Sequence, residues 1–216
     1  MSVLSLALAL TGCNKDETDN LSRVKSYPAI TLNGPALTSI NIGEAFVDQG
    51  ASATLASESN PVVTSGSVNN SRLGFNYITY RSANTEGDTV EVTRVIAVVD
   101  ASVNNIDQSG SFDRSGNPVI ITRVSKGLYR TNNLGGVAST SVAYAGAYFA
   151  QTTRTTLVFP PQFVEGVNGN VSFTPAATSP WIFDANGRLT SYSYGITATG
   201  VNDGPANAPR TFTRVP

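Results

Sequence analysis

The chain has 216 residues, enough for one large or two small domains. Charged residues make up only 13% of it, against about 25% in a typical soluble protein. The formal net charge of -1 provides no basic surface for nucleic acid. The absence of histidine excludes His-based triads, His metal sites and imidazole acid–base chemistry. A single cysteine excludes an intramolecular disulfide.

The N-terminal segment has the order of a lipoprotein signal peptide. Residues 3–10 form a short apolar run, followed by Thr11, Gly12 and Cys13. This run is too short for a membrane-spanning helix of about 20 residues but fits the ~7–15-residue apolar region of a signal peptide. The order resembles the lipobox of bacterial lipoproteins. The resemblance implies removal of residues 1–12 and lipidation of Cys13, for which palmitate is the natural label.

Two further features bear on the anchor. No Lys or Arg precedes the apolar run, which departs from the signal-peptide pattern and leaves the true translation start open. The alternative is a buried N-terminal strand with a free cysteine, but the polar residues 14–20 are unsuited to packing. Lys15-Asp16-Glu17 resembles the signal that sends some lipoproteins to the outer face of the outer membrane. We therefore expect a lipid-anchored, surface-facing protein with residues 13–26 as a flexible tether.

The rest of the chain predicts an all-β fold, because short alternating runs are broken by Gly, Asn, Pro and Ser. Residues 27–100 contain three ordered motifs, at 43–50, 74–80 and 90–99. They resemble the "Gly-Glu-x-aromatic-x-Asp-x-Gly" segment and two later strands of small bacterial Ig-like domains. The resemblance implies a β-sandwich that acts as a spacer or platform. Asn76 stands where the family has an aromatic residue, which leaves a bulge or register shift open there.

The Ig-like region also predicts its own core. Ile78 and Tyr80 should point to one face, and four residues of the last strand should face them across the core. Those four are Val90, Val92, Ile96 and Val98. Arg94 interrupts that stripe, so its guanidinium should either leave the core at a bulge or pair with a carboxylate.

Residues 101–108 are predicted as a linker, and residues 109–216 as a second domain, either a sandwich or a small antiparallel barrel. Its expected strands are 118–124, 127–131, 142–151, 155–160, 170–174, 188–195 and 210–215. The opening residues 110–114, the strand around 124–130 and Trp181 resemble C-terminal domains that follow Ig-like modules in lipoproteins of glycan-utilisation loci. That resemblance implies glycan binding.

Aromatic side chains in the second half are the main candidates for function. Flat aromatic faces can stack on sugar rings while nearby polar groups bond the hydroxyls. Trp181, beside Pro180 and near a turn, is the first candidate, although a core position is the alternative for every one of these aromatics. The predicted ligand-binding set is Trp181, Tyr144, Tyr192, Asn133, Asp184 and Arg188, with Asn132 and Asn186 as further polar neighbours.

Other chemistry has weaker support in the sequence. A glycosidase needs two facing carboxyl groups, and the acids available are Asp113, Glu165, Asp184 and Asp203, each in or beside a turn. Loop oxygens of Asp48 or Asp88 could serve calcium, but the spacing of a known calcium loop is missing. Asp88-Thr89-Val90 resembles a bacterial O-glycosylation acceptor, with an ordinary strand residue as the alternative.

Three functions remain open at this point. The first is non-catalytic polysaccharide or oligosaccharide binding, accessory to an outer-membrane uptake system. The second is a structural or protein-interaction module of an outer-membrane complex, for which burial of Trp181 and the tyrosines would argue. The third, an enzyme, requires a carboxylate pair in a cleft. We expect no enzyme activity, no cofactor and no metal.

Overall fold

The computed structural model describes residues 25–141, 144–164, 167–176, 180–198 and 209–216. The predicted signal peptide, Cys13 and residues 14–24 of the predicted tether lie outside this part of the chain. The described part is all-β, as predicted, with seventeen strands and one short 3-10 helix, Ala101–Val103. Within the described residues, none of the helical segments is long and apolar enough to cross a membrane.

The N-terminal strands form a two-sheet sandwich. Their bounds are β1 Ala29–Leu32, β2 Leu37–Asn41, β3 Ala51–Leu55, β4 Glu58–Asn60, β5 Val63–Ser65, β6 Gly74–Ala83 and β7 Thr89–Val99. One sheet has the order β1-β3-β4, and the other has the order β2-β7-β6-β5. All pairs are antiparallel except β2 with β7, which is parallel. We call this unit the sandwich.

The sandwich core corrects one sequence expectation. Ile78 and Tyr80 lie on β6, and Ile96 and Val98 lie on the adjacent strand β7, so these residues share one face of one sheet. The opposite side of the core comes from the other sheet and its loops, including Ile30. Val90 and Val92 are only partly buried. The pairing of β6 with β7 runs without a shift from residue 74 to residue 83, so no bulge forms at Asn76.

The remaining strands form one ten-stranded antiparallel sheet. Their bounds are β8 Gly110–Arg114, β9 Asn117–Ser125, β10 Leu128–Thr131, β11 Ala147–Thr153, β12 Thr156–Val158, β13 Gln162–Val164, β14 Val167–Pro175, β15 Trp181–Phe183, β16 Leu189–Ala198 and β17 Arg210–Arg214. The order is β12-β11-β10-β9-β8-β17-β16-β14-β13, with β15 also paired to β16. Most expected strands are present, but β11 begins later than expected, and β8, β13 and β15 were not predicted as strands.

This sheet curls on itself, which brings strands near its two ends into contact. Phe159, just after β12, stacks on Phe149 of β11 with ring centroids 4.6 Å apart. The same ring lies 5.2 Å from Phe173 of β14, near the other end of the order. Gln162 of β13 also bonds both the N–H and the carbonyl of Tyr148 on β11, each at 2.8 Å. One continuous curled sheet therefore replaces the two-sheet alternative for this half, and we call it the curled sheet.

Residues 101–108 are packed between the sandwich and the curled sheet. Val103 and Gln108 are fully buried, and Ile106 is nearly so. Val103 and Ile106 join Ala97 and Val99 of β7 and Leu128 of β10 in one apolar cluster. This cluster covers the second face of β7, so its last six residues are all buried. The predicted linker is thus part of a shared core.

Candidate functional site

Trp181 lines an apolar cleft in the curled sheet, which we call the Trp181 cleft. Its volume is about 210 Å³, and its walls are Leu157, Val158, Phe159, Phe173, Pro175 and Trp181. The indole stacks on Phe159 with ring centroids 5.7 Å apart and an angle of 25° between the planes. Trp181 is partly exposed, whereas the core of the curled sheet beneath it is closed to solvent. The cleft therefore presents an aromatic wall to solvent.

Strand pairing fixes the position of that wall. Trp181 on β15 lies opposite Tyr192 on β16, and Tyr192 belongs to the buried core. Phe159 packs on Tyr194 at 4.8 Å, and it is followed by Pro160 and Pro161, which restrict the backbone. Stacking on a buried, well-packed ring leaves the indole little freedom to rotate. The wall is accordingly preorganised.

Two residues of the predicted ligand-binding set are buried, which corrects their assignment as ligand contacts. Tyr192 is 2% exposed and stacks on Phe212 at 4.5 Å, and its burial raises the pKa of the phenol well above its usual value. Asn133 is fully buried, and its side chain bonds the carbonyls of Pro118 and Val137 and the N–H of Val137. The Asn133 side chain is hydrogen-bonded within the fold, and the Tyr192 ring is packed within the core.

Tyr144 lies apart from the Trp181 cleft. Its hydroxyl is 3.4 Å from the amide nitrogen of Asn132, whose side-chain oxygen accepts the N–H of Ile120. Tyr144 is partly buried, and Asn132 is exposed. This pair forms a small polar contact beside β9, with no wall in common with Trp181.

Asp184 and Arg188 belong to the turn that joins β15 to β16. One carboxylate oxygen of Asp184 accepts the N–H groups of Asn186 and Arg188, at 2.9 and 2.8 Å. Arg188 lines a second, more open cleft of about 280 Å³ with Asn186 and residues 105–107 of the connection. The structure therefore separates Arg188 from Trp181, although both lie on one hairpin. We call this second space the Arg188 cleft; its walls are Asn105, Ile106, Asp107, Asn186 and Arg188.

The acids proposed for catalysis or calcium mostly have structural partners. Asp113 accepts the N–H of Gly116 in the turn after β8, much as Asp184 serves its own turn. Glu165 and Asp203 lie outside the described residues. Across the described ranges, no group of three or more His, Cys, Asp or Glu is placed to hold a metal. Asp88 accepts hydrogen bonds from Lys25 at 2.8 Å and from Asn84 at 3.0 Å.

A buried ion pair in the sandwich fulfils the expectation that Arg94 would meet a carboxylate. The Arg94 side chain is 2% exposed and its Nη1 contacts Asp48, which stands in the loop between β2 and β3. Its other N–H groups reach the Tyr80 hydroxyl and the carbonyls of Asn33, Pro35 and Gly50. All five guanidinium hydrogens are thereby used. This fully bonded guanidinium fastens loops onto the sandwich.

The same network shifts two pKa values. Burial would raise the pKa of Asp48, but hydrogen bonds from Tyr80 and Gly50 and the charge of Arg94 outweigh it, so the pKa is lowered. Burial, followed by the hydrogen bond to Asp48, raises the pKa of Tyr80 to about 12. A neutral phenol, a carboxylate and a guanidinium therefore coexist at neutral pH. Asp48 also lines a cleft of about 420 Å³ in the sandwich. The negative charge of Asp48 is already balanced by Arg94.

Comparison with known proteins supports the reading of the sandwich. Residues 30–98 match the family model described as bacterial surface protein, Ig-like domain. The match coincides with strands β1–β7, and it agrees with the resemblance drawn from the three sequence motifs. No curated protein matches the chain.

Several solved structures resemble the whole chain weakly. A lipoprotein from Bacteroides thetaiotaomicron has 16% identity and a TM-score of 0.38, with 87% of this chain and 100% of that chain covered. An M60 catalytic domain with two CBM51 domains, from Clostridium perfringens ZmpB, has 16% identity and a TM-score of 0.30, covering 88% and 21%. The second CBM51 domain with GlcNAc and INT domains, from the same protein, has 17% identity and a TM-score of 0.29, covering 86% and 42%. All three TM-scores are below 0.5, so none bears on what this chain binds.

Proposed function

We propose that this protein is a surface-anchored lipoprotein that binds a saccharide without transforming it, as an accessory to an outer-membrane uptake system. The observation that carries the proposal is the Trp181 cleft, an aromatic wall held rigidly at the surface of the curled sheet. The Ig-like match at residues 30–98 and the lipobox resemblance at Cys13 support a surface location. In this proposal the sandwich is the spacer that carries the curled sheet.

The size and lining of the cleft suit one sugar ring. Its volume of about 210 Å³ is below the ~300–1,000 Å³ typical of small-molecule pockets. An indole face can meet the C–H groups of a pyranose, and the apolar walls contributed by Leu157 and Pro175 exclude water around that contact. Hydroxyl groups of the sugar would stay at the open side. Binding through one ring favours recognition of a chain end or a repeating unit.

The proposal includes no catalytic step. Glycoside hydrolysis in most families requires two carboxyl groups about 5–10 Å apart on either side of the bond. Neither Asp113 nor Asp184 lines the Trp181 cleft, and each is engaged by backbone N–H groups of its own turn. If the concentration of reducing ends does not rise during long incubation of the protein with a polysaccharide that it binds, the result would support binding without hydrolysis.

Two readouts test the proposal. Trp181 is the only tryptophan in the chain, so its fluorescence reports directly on occupation of the cleft. The full chain should be slowed in gels that contain one soluble polysaccharide of a panel, and Trp181→Ala should weaken that retention about tenfold or more. Tyr27→Ala is the matched control, because Tyr27 is 55% exposed and lies before the sandwich. Free migration through every gel, with unchanged fluorescence, would refute the proposal.

Anchoring is tested separately, because Cys13 lies outside the described residues. Radiolabelled palmitate should enter the wild-type protein and not the Cys13→Ala variant. Equal labelling of both proteins would overturn the lipobox interpretation and leave the Trp181 cleft unaffected.

A second candidate function is a protein-interaction module, which exposed apolar side chains on the outer face of the curled sheet favour. Phe163 on β13 is 72% exposed, and Ile182 on β15 is 50% exposed. A partner that covers these side chains would remove their apolar surface from water. A photo-crosslinking residue at position 163 should then form a discrete adduct in cells, and the same residue at position 27 should not. Glycan retention without such an adduct would favour the first candidate.

A further inference from the structure

The Arg188 cleft carries an unusual balance of charge. Arg188 is exposed at the end of the β15–β16 turn, and its charge acts on Asp107 of the same cleft. The turn that presents it is well defined. Asp184 caps the backbone of the turn, and Gly187 takes a φ of +78° where an added Cβ would lie 2.9 Å from Ile106. A fixed backbone therefore presents the exposed Arg188 side chain at the cleft.

Three more arginines surround the cleft, and neutral carbonyls hold all three. Arg154 donates to Ala185 at 3.4 Å, beside Asn186 of the cleft wall. Arg123 donates to Asn104 at 2.6 Å. Arg214 donates to Gln108 and Ser109 at 3.0 Å each and to Leu189 at 2.6 Å. A carbonyl oxygen satisfies an N–H but cancels no charge, so any compensation of these cations must come from nearby carboxylates.

Acidic side chains near the cleft only partly offset those cations. Asp107 lines the cleft and accepts the N–H of Ser109 at 2.8 Å, and Asp184 is occupied by its turn. Four arginines thus stand against two carboxylates, in a chain with a formal net charge of -1. The positive potential is local, because the protein as a whole has no cationic excess.

We infer that the Arg188 cleft binds an anionic group, a carboxylate or a sulfate, carried by an acidic saccharide. This inference rests on the proposed function and names the class of its ligand. The planar guanidinium of Arg188 can hold such a group through two parallel hydrogen bonds. The amides of Asn105 and Asn186 on the cleft walls can bond neighbouring hydroxyls. Trp181, at the other end of the hairpin, would contact a different ring of the same chain.

The test uses affinity electrophoresis of the full chain in matched gels, with mobility normalised to a gel without polymer. Polygalacturonate is compared with its methyl ester, which removes the carboxylate charge, and dextran sulfate is compared with dextran. The variants are Arg188→Gln, Arg188→Lys and Arg81→Gln. Arg81 is exposed in the sandwich, so its removal changes the net charge equally at a distant site.

We expect at least one polyanion to bind about tenfold more tightly than its neutral counterpart, as a charge-assisted bidentate contact allows. Arg188→Gln should remove that preference, Arg188→Lys should keep part of it, and Arg81→Gln should leave it unchanged. The polymer pair that shows the effect decides between carboxylate and sulfate.

Several outcomes would overturn the inference. Equal retention by charged and neutral polymers, unaltered by Arg188→Gln but lost in Trp181→Ala, would refute it while the proposed function stands. A loss in Arg81→Gln as large as in Arg188→Gln would reduce the effect to overall charge. Free migration in all four gels and in those of the wider panel would refute the inference and the proposed function together.

Discussion

Replacement of Asp48 by Asn should destabilise the sandwich substantially, because Arg94 would lose the charge that balances it. Arg94 is 2% exposed at its side chain, and Asp48 is 27% exposed. Breaking a buried ion pair from one side typically costs about 3–5 kcal/mol. We expect about 2–3 kcal/mol here, because Asp48 keeps some contact with water and Asn retains one acceptor oxygen for Tyr80 and Arg94.

The measurement is urea unfolding followed by far-UV circular dichroism. With an m-value of about 2–3 kcal/mol/M, the expected loss lowers the urea midpoint by about 1 M. Glu91→Gln is the matched control, since it removes an acid of the same half whose partner Arg81 is 59% exposed. Exposed pairs contribute about 0–1 kcal/mol, so its midpoint should move by less than about 0.4 M.

The pH dependence of the urea midpoint provides a second test of the Asp48→Asn substitution. The pKa of Asp48 is lowered in the folded protein, so its contribution is present above the unfolded-state pKa of about 4 and is lost as pH falls through the folded value. The wild-type midpoint should therefore fall more steeply below pH 4 than that of Asp48→Asn. Equal midpoint shifts for Asp48→Asn and Glu91→Gln, or parallel acid profiles, would refute this account of the ion pair.

Three further predictions concern the shared core and the buried phenols. Gly127→Ala should cost about 1–3 kcal/mol more than Gly116→Ala in thermal unfolding, since both have positive φ but only at position 127 would the Cβ meet backbone, 2.8 Å away. Leu128→Ala should reduce the free energy of unfolding by about 2–5 kcal/mol and lower the urea midpoint equally by circular dichroism and by Trp181 fluorescence, and separate transitions would contradict a shared core. Because the pKa of Tyr80 is raised to about 12, its stabilisation is full below pH 10 and is lost as pH rises through 12. The difference in absorbance at 295 nm between wild type and Tyr80→Phe, which isolates the Tyr80 phenol, should therefore show its ionisation only with unfolding.

The candidate site was only partly accessible from the sequence. Trp181 could be selected because a lone indole beside a proline and a turn is often near the surface. Tyr192 has the same alternation as any strand residue, and only the curl of the sheet places it inside. Arg188 and Asn186 are candidates on sequence grounds, but the wall formed by residues 105–107 was missed, because no local pattern connects those positions with 186–188.

The amino-acid sequence alone determined the all-β class, most strand positions and the Ig-like segment, because these follow from period-two alternation, turn residues and short motifs. It also indicated that Arg94 would either leave the core at a bulge or pair with a carboxylate, since a charge inside an apolar stripe is costly without a partner. The tertiary structure decided which carboxylate pairs with Arg94, how the ten strands of the curled sheet pair, and that Val103, Ile106 and Gln108 of the connection are buried. These outcomes depend on contacts between residues far apart in the chain, and their geometry exists only once the sheets have formed.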